Sequence, residues 1–129
     1  MITKTRNSLD GLLEIMDKLL SEDGCPWDKE QTHESLRNNL LEECNETIEA
    51  IDNKDMASLK EELGDVLLQV VFHAKLAEKA QAFTIDDVIA AISNKLITRH
   101  THVFGNEKAA TADEALQIWK ANKLKEQSL

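Results

Sequence analysis

The chain has no tyrosine, one proline, four glycines and two cysteines, and none of its apolar runs nears the roughly 18 residues that cross a bilayer. Two tryptophans and three phenylalanines are too few for a platform on which a long single strand would stack its bases. Cys25 and Cys44 form no CxxC pair and no metal-ligand spacing. The opening residues show neither the apolar core nor the small-residue cleavage site of a secretion signal, so a soluble cytoplasmic protein with free thiols is expected. Basic charge is also short. Lysine and arginine total 15 against 24 aspartates and glutamates, a formal net charge of −9. That balance argues against binding a nucleic acid polymer or an anionic membrane surface.

What is present is ordinary for a globular chain: 42% hydrophobic and 30% charged residues over 129 positions. That length fits a single domain spanning residues 1–129, with about two thirds of its unfolded surface buried. Apolar positions recur with helical period, and no segment shows the alternation of a strand. The expected fold is all-α, an antiparallel bundle of about five helices with the third at its centre.

Ser8 caps a first helix from about Leu9 to Glu22, stopped at Gly24. Residues 24–28 are expected as a loop around Pro26. Thr32 is expected to cap a second helix reaching about Ile51, with Leu40, Leu41, Cys44, Ile48 and Ile51 as its apolar stripe and Glu42, Glu43, Glu46 and Glu49 opposite. The short link at residues 53–55 makes the third helix, about Met56 to Gln81, an antiparallel neighbour. Seven of the nine residues from Val66 to Ala74 are apolar and point all round. Such a segment is expected to be buried on every side, at the centre of a bundle and against a second subunit. Thr84 with Asp87, and Thr111 with Glu114, open two further helices as capping boxes.

The chemistry concentrates in two acidic clusters. Glu43 and Glu46 are three residues apart on one helix, as are Glu62 and Asp65 on the next, so each pair aims its carboxylates one way. Four converging carboxylates repel one another and raise their own pKa values. A hard divalent cation relieves this, and all-oxygen ligation suits Mg²⁺ or Mn²⁺ over zinc or copper. Acidic runs are also commonly solvated helix faces, and both readings stand at this point. A di-iron carboxylate site wants paired Glu-x-x-His motifs; only Glu30 and His33 have that spacing, across the expected cap.

Taken together, these blocks resemble the MazG family of all-α nucleoside triphosphate pyrophosphohydrolases. The family pattern EExxE, spacer, ExxD is matched by Glu42-Glu43-Cys44-Asn45-Glu46 and Glu62-Leu63-Gly64-Asp65. Residues 24–33, 64–74 and 99–105 and the Trp119-Lys120 helix are similar to further family blocks, so the likeness covers about residues 8–125. The chain departs at Asn38-Asn39, at Cys44-Asn45 and at Thr101, where the family commonly has Pro-Tyr, Ala-Tyr and Pro; the carboxylates are kept and base preference is left open.

The resemblance implies Mg²⁺-dependent hydrolysis of a (deoxy)nucleoside triphosphate to monophosphate and pyrophosphate, in the manner of nucleotide-pool house-cleaning. It implies Glu43, Glu46, Glu62 and Asp65 as metal ligands and Glu42 with Glu43 as catalytic carboxylates. Trp27, Lys29, His33, Arg99, His100, His102 and Lys120 are the expected substrate contacts, with Lys123 a further cation and Trp27 a stacking plane for the base. His73, inside the apolar stretch, is expected as a satisfied core histidine. A homodimer or a dimer of dimers is expected, and the competing reading is a helical interaction module that binds metal or nucleotide without turnover.

Overall fold

Seven α-helices and no strand are found in the computed structural model, which describes residues 6–127. They are α1 (Leu9–Leu19), α2 (Pro26–Glu30), α3 (Arg37–Asp52), α4 (Met56–Lys79), α5 (Ile85–Arg99), α6 (Thr101–Phe104) and α7 (Ala112–Gln127). Five are the helices expected from periodicity. The short α2 and α6 are additions. Two compact units result, one through Ile85 and the other from Asp86 onward.

In the first unit, Ser8 caps α1 by accepting from the Gly11 N–H at 3.0 Å. The helix ends at Leu19, earlier than its apolar pattern suggests. The chain then turns so tightly that the Cys25 N–H reaches the Leu19 carbonyl at 2.7 Å. A Cβ on Gly24 would stand 2.0 Å from that carbonyl oxygen, so only glycine fits the turn.

The expected loop at residues 24–28 is instead where α2 begins. Pro26 sits in its first turn, where a missing N–H costs nothing and the fixed φ favours the helix. Thr32 does not cap α3. It closes a separate turn with Ser35, Thr32 N–H to Ser35 Oγ at 2.8 Å and Ser35 N–H to Thr32 Oγ1 at 3.0 Å. The chain enters α3 through Leu36, already near helical geometry and without a side-chain cap.

Asp55 caps α4, accepting from the Ser58 N–H at 3.1 Å and the Ser58 hydroxyl at 2.8 Å. Preceding it, Lys54 ends α3 in the left-handed region, at φ 55°. The three-residue link folds α4 back along α3, and α4 also packs on α1. Met16, Leu36, Val71 and Phe72 form the buried core of this unit, ringed by leucines of α1 and α4.

That core lies under the second half of α4 only. The stripe Leu41, Cys44, Ile48 and Ile51 on α3 is exposed, and so are Leu63, Leu67 and Val70 on α4. All-round burial of α4 is therefore not achieved within one chain. The face of α3 that turns inward carries Glu43, Thr47 and Ala50, while Glu42, Glu46 and Glu49 stay exposed.

In the second unit, α6 packs on α7. Thr111 accepts from the Glu114 N–H at 3.2 Å and Glu114 reaches back to the Ala110 N–H at 2.7 Å, the expected box displaced by one residue. The end of α5 is tied to the end of α7, where Arg99 donates twice to Glu126, at 2.9 and 3.1 Å.

Candidate functional site

Glu43 and Glu46 lie one turn apart on α3, and Glu62 and Asp65 one turn apart on α4. The hairpin sets these turns side by side. One carboxylate oxygen from each residue lies within 4.8 Å of every other. Oxygens on opposite sides of a cation at about 2.1 Å stand about 4.2 Å apart, and slightly more around a larger ion. The four side chains are thus spaced to close on a single hard cation.

Electrostatics agree with the geometry. The Glu62 carboxyl is pushed up to about 7, first by a hydrogen bond to Glu46, then by burial and by the charges of Glu46, Asp65 and Glu43. Burial also raises Glu43, with the charges of Asp65 and Glu46 adding to it. Glu43 Oε2 and Glu62 Oε2 are shut off from solvent with no hydrogen-bond partner. Among the described residues, no lysine or arginine forms an ion pair with the four. Two orphaned carboxylate oxygens, four acids in reach of one point and no cationic side chain beside them fit a bound divalent ion. Glu46 and Asp65 stand at the exposed side of the cluster, and Glu43 and Glu62 at its half-buried side.

Two recesses flank the cluster. A polar one of about 230 Å³ is lined by Glu46, Glu62, Asn53, Asp55 and Ser58. A mainly apolar one of about 180 Å³ is lined by Glu43, Trp27, Asn39, Leu68, Gln69 and Phe72 among others. Glu42 is exposed beside Glu43. Trp27, on α2, is 55% exposed and lines the apolar recess.

The remaining candidates separate into those already engaged and those open. The Lys29 ammonium donates to the Glu22 carbonyl at 2.9 Å and so braces the turn before α2. His33 stacks on His73, ring centroids 5.0 Å apart, with their Nδ1 atoms at 2.7 Å. His73 is consequently not the satisfied core histidine expected from its apolar setting, since its Nε2 is buried without a partner. Burial and the neighbouring His33 hold its pKa below the usual value. Glu30 closes α2 and His33 lies in the turn after it, so the one Glu-x-x-His spacing is split between two local structures and is no di-iron motif.

In the second unit, Arg99 is held by Glu126 and lies over the Trp119 ring at 5.2 Å, with the Lys123 ammonium at 5.3 Å. His100 donates through Nδ1 to the Leu96 carbonyl at 2.6 Å. His102 Nδ1 is buried and unpartnered. Both histidines line a hollow with Leu116 and Trp119, and Lys120 lies exposed along the next stretch of α7.

Gln69 is the residue that sequence reasoning left unused. Its signal was available, as one of two polar residues, with His73, in the apolar run and one turn beyond Asp65.

Comparison with known proteins follows the same residues. The family described as the MazG nucleotide pyrophosphohydrolase domain matches residues 31–104. The chain is 62% identical over 95 residues to a nucleoside triphosphate pyrophosphohydrolase/pyrophosphatase MazG of Thermotoga maritima, covering 74% of this chain and 37% of that protein. It is 45% identical over 123 residues to a nucleoside triphosphate pyrophosphohydrolase of Escherichia coli, covering 95% of this chain and 47% of the relative. The chain thus spans less than half the length of these curated relatives. A crystal structure of a mazG-related protein from Thermotoga maritima superposes with a TM-score of 0.75 at 32% identity, over 90% of this chain and 99% of that one.

Proposed function

This chain belongs to the MazG nucleotide pyrophosphohydrolase family, and we propose that it hydrolyses nucleoside triphosphates to the monophosphate and pyrophosphate. The observation that supports this reading most directly is the convergence of Glu43, Glu46, Glu62 and Asp65 on one point without a cationic side chain to neutralise them. These four would hold Mg²⁺, with Mn²⁺ as the alternative of the same hard, oxygen-seeking kind. When bound, such an ion neutralises charge on a triphosphate and acidifies a water.

The chain's own groups supply the rest. Glu42, exposed beside the cluster, would orient the water that attacks the α-phosphorus and take its proton, and pyrophosphate would then leave. Trp27 offers a stacking face at the rim of the apolar recess. His33, His100, His102 and Lys120 remain assigned to substrate, each with its own alanine variant as the check. Lys29 and Arg99 act in the proposal only by exchanging their present partners, the Glu22 carbonyl and Glu126, for phosphate. The proposed setting is the cytoplasm, removing unwanted triphosphates from the nucleotide pool, with the chain acting as a homodimer or dimer of dimers.

The test is a panel of ribo- and deoxyribonucleoside triphosphates with Mg²⁺, with monophosphate and pyrophosphate both quantified. Glu62→Gln removes one ligand and should lower kcat/KM at least about 100-fold, because electrostatic stabilisation by a held ion contributes several kcal/mol at about 1.4 kcal/mol per factor of ten. Helical circular dichroism should be unchanged. A wild-type protein that Mg²⁺ stabilises while no triphosphate is cleaved would instead be a metal-binding interaction module.

A further inference from the structure

Resting on the hydrolase reading above, we propose that Gln69 reads the substrate's base. Its side-chain amide takes the hydrogen-bonding edge of a single nucleobase lodged in the apolar recess beside the carboxylates. Gln69 follows Asp65 by one helical turn on α4, so both project from the same face. It is only 6% exposed, and its Oε1 has neither solvent nor a hydrogen-bond partner. Nearly all buried amide groups in folded proteins are paired. An amide oxygen left unpaired beside a cavity is therefore open to a ligand's donor.

The recess fits one ring and not a whole nucleotide. At about 180 Å³ it holds the liquid volume of about six waters at roughly 30 Å³ each, whereas complete ligand pockets start near 300 Å³. Leu68 and Phe72 give it an apolar floor and Trp27 an aromatic wall, surroundings that favour a flat heteroaromatic ring over a hydroxyl-covered sugar. Glu43 lines this recess and also belongs to the carboxylate cluster, so a ring here is continuous with phosphates there. An amide presents an acceptor beside two donors, and the hydrogen-bonding edges of nucleobases likewise set donors beside acceptors. Gln69 thereby distinguishes a base from anything apolar of the same shape.

The experiment compares two substrates in two proteins: the best-cleaved nucleoside triphosphate of the panel and ribose 5′-triphosphate, which has no base. Gln69→Met keeps length and removes hydrogen bonding. It should lower kcat/KM on the nucleoside triphosphate at least tenfold more than on ribose 5′-triphosphate. Thermal unfolding gives an independent readout: removing a buried amide whose oxygen is unpaired should raise Tm by roughly 3 °C. Gln69→Leu repeats the comparison should the methionine variant fold poorly. Equal losses on both substrates, no loss on either, or a fall in Tm would assign Gln69 a packing role and overturn the proposal. If the wild type cleaves triphosphates but Gln69→Met keeps its base ranking, only this assignment falls. A wild type that cleaves none removes the hydrolase reading and this assignment with it.

Discussion

At the scale of single residues, the crowding of the four acids is felt most at Glu62. Its carboxyl titrates near 4.5 when unfolded and about 7 in the fold, because Glu46 hydrogen-bonds the protonated form and three neighbouring carboxylates disfavour its charge. The folded state therefore binds this proton more tightly than the unfolded chain does. Between about pH 4.5 and 7 the metal-free protein should lose stability as pH rises, since there the unfolded state carries fewer protons. A bound divalent cation takes the ionised form and reverses the sign, so stabilisation by Mg²⁺ should grow over the same interval. Melting temperatures at pH 5 and pH 8, in chelator and in Mg²⁺, check both halves. Because the lowered His73 pKa works in the opposite direction, the comparison is made in a His73→Asn background, where equal Tm values in chelator would show that the four carboxylates do not share a field. The spacing of these acids was legible in the sequence, because positions three apart on a helix share a side. The orphaned oxygens were not, since burial of a single atom depends on neighbours from other segments.

At the scale of elements, α1, α3, α4, α5 and α7 follow from period and capping, and the exceptions have local causes. Pro26 reads as a loop signal, yet the same missing N–H is harmless in a first helical turn, and α2 forms there. Thr32 has the chemistry of a cap but spends it on Ser35, so α3 starts later and capless. Gly24 is the tightest element boundary. A methyl group there meets backbone, not a side chain that can swing aside. Gly24→Ala should destabilise the first unit by at least about 2 kcal/mol, the cost of forced overpacking, read as a lower midpoint in chemical denaturation. An unchanged midpoint would mean that the turn after α1 relaxes freely. The α3–α4 link does the opposite kind of work: Lys54 at positive φ and Asp55 as cap hold the hairpin that brings both acidic turns together.

At the scale of the whole molecule, the surface carries more large apolar side chains than one chain covers. Leu41, Ile48 and Ile51 on α3, Leu63, Leu67 and Val70 on α4, and Ile92, Leu96 and Ile97 on α5 are each at least 40% exposed. Exposed apolar side chains of this kind, taken in each unit by itself, support the proposed oligomer. The protein should run as a multiple of its 14.5 kDa chain mass in light-scattering chromatography, and Leu67→Lys combined with Val70→Lys should return it towards a single chain. A wild type at 14.5 kDa would contradict the proposed oligomer. The sequence by itself determined the all-helical class, the order of the main helices, the four acids that converge and the likeness to a hydrolase family, because each is a matter of residue type and spacing along one helix or one short link. Only the tertiary structure decided that α3 turns Glu43 inward and its apolar stripe outward, that Lys29 and Arg99 already have partners, and that the Gln69 Oε1 is buried without one beside a cavity. Periodicity defines the faces of a helix, but which face is covered depends on what packs against it.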